Sequence, residues 1–187
     1  MHNSEIQIGD IFLSGGNKFV QKFIRYFTDS LFSHSGCMGS GPGGLLATVE
    51  TTPTIVTSQP FDRKYEQPDW LLVVEPLASQ ESKEKAFIKT WKEYVAERYG
   101  YETYLWFIYR SLVRKIGFEP KKMWSWASTG VTCTELTCYY LCKLSDEFAA
   151  IFSGKDLNTI APQELMKIID YNPELFKIKG WLKAPPA

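Results

Sequence analysis

The chain has 187 residues, is 44% hydrophobic and 15% aromatic, and carries 21 basic against 21 acidic side chains. That is enough apolar material for one core and too much for a disordered segment, and the balanced charge argues against nucleic acid as a partner. Four cysteines are too few for a disulfide framework, and no leader pattern or membrane-length apolar run is present, so free thiols and a cytoplasmic site are expected.

Residues 6–13 alternate around Gly9-Asp10 and predict a short strand. Residues 17–28 place Phe19, Val20, Phe23, Tyr26 and Phe27 on one helical stripe. Residues 33–40 and 45–51 read as two strands, joined by the hairpin signal Ser40-Gly41-Pro42-Gly43-Gly44. Residues 55–57 add a strand end, and residues 70–74 a buried strand stopped by Pro76. Residues 79–99 form the clearest helix, with Phe87, Trp91, Tyr94, Val95 and Arg98 inward and Gly100 just past its end. Residues 101–116 predict a second, aromatic helix, and residues 119–130 a loop with two tryptophans. The apolar run 136–144 belongs to a third helix, residues 162–170 to a short helix opened by Pro162, and residues 176–182 to a last strand. No repeat or linker divides the chain. The expectation is one α+β domain over residues 1–187, with hairpin strands early and helices later.

The chemistry begins at Thr132-Cys133-Thr134-Glu135-Leu136. Threonine followed three residues later by glutamate is a capping-box pattern, which makes Thr132 the N-cap and Cys133 the first helical residue. There the helix dipole and unpaired backbone N–H groups favour the thiolate, the form that attacks carbonyls.

A base is then needed, and the chain has two histidines. His2 sits at the terminus, so His34 is the candidate. With the turn centred on Pro42, His34 stands opposite Glu50 on the same sheet face, at a separation that lets the carboxylate hold one imidazole nitrogen. The other nitrogen would face Cys133, in the nucleophile, base and orienter order of catalytic triads. Zinc is the rival for the same residue types, through His34-x-x-Cys37 and Cys138-x-x-x-Cys142. An offset of three on a strand puts His34 and Cys37 on opposite faces, however, and Cys133 is rotated away from the face shared by Cys138 and Cys142.

These residues, in this order, resemble the permuted branch of the NlpC/P60 papain-like superfamily, the type found in YiiX-like and lecithin retinol acyltransferase-like proteins. The resemblance runs from Gly9 to about Ile168. It rests on Gly9-Asp10-Ile11-Phe12, Ser33-His34-Ser35-Gly36, Val49-Glu50, Tyr99-Gly100-Tyr101-Glu102, Thr132-Cys133-Thr134-Glu135-Leu136 and Ile160-Ala161-Pro162-Gln163-Glu164-Leu165. It implies an α+β, circularly permuted papain-like fold, an antiparallel sheet packed against helices. Cys133 would be nucleophile, His34 base and Glu50 orienter, with no metal and no cofactor. Tyr101, Thr132 and Ser33 are candidates for substrate binding or oxyanion support. Thr51 replaces the small residue usual after the glutamate, Glu102 stands where aspartate is common, and residues 104–129 look like an insertion.

That insertion runs from Tyr104-Leu105-Trp106-Phe107-Ile108-Tyr109 into Arg110, Arg114, Lys115, Lys121 and Lys122, then Trp124 and Trp126. It reads as a lid over the cleft, as a membrane-surface contact through residues 104–126, or as a core helix with a solvated basic edge. The functional expectation is a thiol hydrolase forming an acyl-enzyme on an amide or ester, peptide or lipid-like. The alternatives are a lipid acyltransferase and a catalytically silent binding module of the same fold.

Overall fold

A computed structural model describes residues 5–62, 70–120, 123 and 130–185. His2, Lys121, Lys122, Trp124 and Trp126, and most of the expected 119–130 loop, lie outside the described residues. The elements in chain order are β1 (Ile11–Gly15), α1 (Phe19–Thr28), β2 (His34–Ser40), β3 (Leu46–Thr51), β4 (Val56–Pro60) and β5 (Trp70–Pro76). There follow α2 (Gln80–Tyr94), α3 (Glu102–Arg114), α4 (Cys133–Cys142), α5 (Asp146–Ile151), α6 (Pro162–Tyr171) and β6 (Phe176–Lys183).

The strands form one six-stranded sheet in the order β4-β3-β2-β1-β5-β6, and each neighbouring pair is antiparallel. Successive residues of a strand point to opposite faces, so the sheet separates two apolar sets. Ile11, Leu13, Cys37, Leu72 and Val74 pack against Cys138, Tyr140 and Leu141 of α4 and Leu165 and Ile169 of α6. Phe12, Met38, Leu71 and Val73 point the other way and meet Ile6 and Phe61. The fold is therefore α+β, an antiparallel sheet packed against helices. Helix α4 is central: Cys133, Thr134, Leu136, Thr137, Cys138, Tyr140 and Leu141 are all buried, as expected of a helix apolar around most of its circumference.

The β2–β3 hairpin departs from the expected register. Cys37 faces Val49, Met38 faces Thr48 and Ser40 faces Leu46. The turn is centred on Gly43, not Pro42, because the Gly41 N–H donates to the Leu45 carbonyl (2.7 Å), with Gly43 (φ 70°) and Gly44 (φ 76°) inside it. By this register Gly36 stands level with Glu50, and His34 lies one diagonal step away. A two-residue slip preserves the sheet face where a one-residue slip would have reversed it.

Other boundaries moved for local reasons. The first strand starts at Ile11, because Gly9 (φ 92°) turns the chain before it. Helix α2 stops at Tyr94: Ala96 takes a left-handed φ of 64°, and Arg98 and Tyr99 then pair with Ile55 and Val131. Gly100 thus ends no helix; a Cβ there would come within 2.8 Å of the Gly130 carbonyl oxygen. Helix α5 was not expected, although Ser145 caps it by accepting from the Phe148 N–H (3.4 Å). In α1 only Ile24 is buried; of the aromatic stripe, Phe19, Val20 and Tyr26 are exposed and Phe23 and Phe27 half-buried. Among the described residues, no helix is long and apolar enough to cross a membrane.

Gly36 is a close-approach position. It pairs with Phe12 of β1, whose ring leans on the His34 imidazole with centroids 5.9 Å apart. A Cβ on Gly36 would lie 2.6 Å from that ring and 2.8 Å from the Val49 carbonyl oxygen. Gly36→Ala is expected to destabilise the protein by about 1–3 kcal/mol, the range for overpacking. A lowered urea midpoint at unchanged m-value would show it; a midpoint equal to wild type would mean that the ring and strand yield freely.

Candidate active site

Two element starts meet at the site. His34 is the first residue of β2, and Cys133 is the first residue of α4. The cap behind Cys133 is the predicted one: the Glu135 N–H donates to Thr132 Oγ1 (3.1 Å), and the Thr132 N–H donates to Glu135 Oε2 (3.2 Å). Thr132 Oγ1 and the Thr132 N–H are thus both engaged in fixing the helix start, and the residue positions Cys133.

Glu50 of β3 reaches diagonally to His34, with Oε2 2.5 Å from Nε2. Its other oxygen accepts from Thr48 Oγ1 (2.8 Å) and from Gln59 Nε2 (2.7 Å). Thr48 and Glu50 share a strand face, and Gln59 of β4 pairs with Thr48, so three consecutive strands supply one clamp. Gln59 was not foreseen. A sheet-face count from Glu50 across the next strand would have found it, had the β4 register been known.

Because Nε2 is taken by Glu50, Nδ1 is the ring nitrogen left for Cys133. Burial pushes the Cys133 thiol up. Its net shift is nonetheless downward, because of the charge of His34, a hydrogen bond from the His34 side chain, the Ser35 backbone and the Thr134 hydroxyl. The other three thiols move the opposite way. Burial raises Cys37, Cys138 and Cys142. Cys37 and Cys138 belong to the core on the helix side of the sheet.

The cleft above His34 has a volume of about 490 Å³. His34, Glu50, Ser33 and Thr51 line it from the sheet, Lys18, Phe19 and Val20 from α1, and Tyr101 and Tyr104 from the start of α3. Ser33 is buried there, and its hydroxyl has no protein partner among the described residues. Tyr101 is half exposed, and its hydroxyl donates to the Pro53 carbonyl, tying α3 to the β3–β4 loop. Two other phenols feel the charge of Cys133. Tyr99 and Tyr104 hydrogen-bond to each other. Both are raised, first by burial and next by the charge of Cys133. Both phenols are therefore held neutral. Tyr104 heads the aromatic segment. A second hollow, between α1 and α3, is larger at about 920 Å³, and neither Cys133 nor His34 lines it.

No protein-family model matches the chain. No curated protein matches it either. Among solved structures, the metalloprotein yiiX from Escherichia coli O157:H7 is similar with a TM-score of 0.55 at 16% identity, over 96% of this chain and 89% of that one. At that identity the likeness shows the fold, and it agrees with the YiiX-like part of the resemblance carried by the motifs.

The thiol shifts predict a sharp selectivity. With iodoacetamide at pH 7, Cys133 is expected to alkylate faster than a free cysteine, with a pH profile inflecting below the usual thiol value near 8.5. Cys37 and Cys138 should stay silent in the native protein. Replacing His34 by alanine removes the largest lowering influence and should slow Cys133 and move its inflection upward. Peptide mapping of the labelled protein reads all three, and equal labelling of Cys133 and Cys138 would contradict the assignment.

Proposed function

We propose that the protein is a thiol hydrolase that cleaves an amide or ester through an acyl-enzyme, as a member of the permuted NlpC/P60 group that its motifs resemble. The observation that carries this reading is the position of His34 between Glu50 and a buried cysteine whose thiol is nevertheless shifted toward the thiolate.

The chemistry follows from the geometry. The Cys133 thiolate attacks the substrate carbonyl carbon, a C–S bond forms, and the carbonyl electron pair moves onto oxygen. The first N–H groups of a helix lack carbonyl partners four residues back, so the Cys133 N–H is a natural donor to that oxyanion. The neutral Tyr99–Tyr104 pair is a second source, because a phenol held protonated offers its proton to the anion. The His34 imidazolium protonates the leaving amine or alcohol as the C–N or C–O bond breaks. Neutral His34 then takes a proton from water as the water attacks the thioester, and collapse returns the Cys133 thiolate and the imidazolium. Glu50 holds the ring in the tautomer with its second nitrogen toward Cys133 and stabilises its charge.

Among the described residues, no three His, Cys, Asp or Glu side chains are grouped so as to hold a metal ion.

The test is direct acyl trapping. Incubation with a p-nitrophenyl ester, followed by intact-mass and peptide analysis, is expected to place one acyl group on Cys133, with a burst of nitrophenol. Cys133→Ala should abolish both, and an acyl group found elsewhere in that variant would overturn the proposal. Glu50→Gln is expected to lower turnover roughly 100-fold by loosening the base. Tyr104→Phe is expected to lower kcat by roughly 100-fold, the effect of removing one oxyanion donor, with little change in KM.

A further inference from the structure

We propose that the outer face of α1 and α3 is a docking surface for an anionic lipid bilayer. The proposal adds a location to the hydrolase reading and rests on that reading only for what the docked cleft does. Surface helices normally turn their polar stripe outward. Here the order is inverted. Phe19 is 83% exposed and Tyr26 70%, on the side of α1 away from buried Ile24. On α3, Leu105 (52%) and Leu112 (54%) stand seven residues apart and share a face, and Ile116 just beyond the helix is 81% exposed. Lys115 Nζ lies 5.8 Å from the Tyr26 ring centroid, so the far ends of the two helices form one surface.

Cations are interleaved with these side chains. Lys18, Lys22 and Lys115 are exposed. Nearby carboxylates are largely committed: Glu102 accepts from Arg98 (2.6 Å), and Glu119 accepts from Arg110 (3.0 Å) and Arg114 (2.9 Å). Asp29, at the end of α1, remains as an exposed acid. Aromatic and aliphatic side chains among lysines match the boundary between headgroups and acyl chains. A second copy of the chain fits worse, since two-fold pairing would set like charges of this face against each other. The face is also continuous with the active site, whose cleft is lined by Lys18, Phe19 and Val20 of α1 and Tyr101 and Tyr104 at the start of α3. Docking through it opens the cleft mouth onto the bilayer.

Vesicle co-sedimentation tests this with variants away from the cleft. The protein is expected to pellet with phosphatidylcholine vesicles containing phosphatidylglycerol, weakly with phosphatidylcholine alone, and poorly at about 0.5 M salt, where charges are screened. Each lysine near an anionic surface is worth about fivefold in partitioning, so the Lys22→Glu/Lys115→Glu double variant should lose about 25-fold or more. Tyr26→Ser/Ile116→Ser should weaken binding to both vesicle types. The proposal fails if wild type does not partition, if both double variants partition like wild type, or if the same substitutions instead abolish self-association in sedimentation velocity. Iodoacetamide labelling of Cys133 on the same samples separates the two readings. A bilayer-bound protein with unreactive Cys133 sinks the hydrolase and leaves docking, whereas a reactive Cys133 without partitioning sinks docking alone.

Discussion

A charged sulfur cannot be sheltered from water without compensation. Moving an ionised group into the protein interior disfavours its charged form, and that effect pushes Cys37 and Cys138 upward. Cys133 is as deeply enclosed, yet its shift runs the other way because His34, the Ser35 backbone and the Thr134 hydroxyl all favour the anion. These come from two pieces of the fold. His34 and Ser35 come from the first residues of β2, and Thr134 and the helix start come from α4. The sheet and the central helix must therefore be locked end to end before the thiol can be anything other than a small buried hydrophobe. Ser35 Oγ and Thr137 Oγ1, 3.0 Å apart, join the two elements directly, and Tyr140 donates to the Gly9 carbonyl (2.9 Å) at the other end of the helix.

The imidazole that compensates the sulfur must itself be held. A histidine that rotates about its side-chain bonds would present either nitrogen to Cys133. The carboxylate fixes it, and the carboxylate is fixed by Thr48 and Gln59. These partners lie on neighbouring strands, so the sheet acts as a rigid frame with side chains at set spacings. The diagonal placement of His34 and Glu50 is within reach of two long side chains, where a level pair would stand closer. Beneath the pair, the absence of a side chain at Gly36 admits the Phe12 ring, which closes the apolar side of the imidazole. Orientation thus comes from hydrogen bonds on one edge of the ring and from packing near its face.

What could be read from the residues divides along physical lines. The capping box at Thr132 and Glu135 is a local code of side chain to backbone over three residues, and it stands as read. The pairing of His34 with Glu50 survived a wrong turn centre because strand faces have period two, which a two-residue error leaves intact. The end of α2 was missed because nothing local demands a left-handed φ at Ala96; the demand comes from the bridges that Arg98 and Tyr99 make with distant Ile55 and Val131. The Tyr99–Tyr104 pair was missed for the same reason, since its meaning depends on proximity to Cys133. The aromatic stripe of α1 was legible as a stripe, but periodicity tells which residues share a face and not what that face meets. Gln59 belongs to this class too, reachable only through a cross-strand register.

The same three residue types, Cys, His and Glu, also occur in metal centres. A metal-ligating histidine commonly gives its second nitrogen to a carboxylate, so the His34–Glu50 contact alone fits either chemistry. The difference lies at the first nitrogen. A metal there needs donors converging on one point, in zinc sites usually three or four. Here His34 acts on the Cys133 thiol, whose charge is felt by Tyr99 and Tyr104, phenols that burial keeps protonated. A protonated phenol is a weaker cation ligand than a phenolate, and each keeps an O–H to donate. Under the proposed hydrolase reading, O–H and N–H donors near the thiol would stabilise negative charge as it appears.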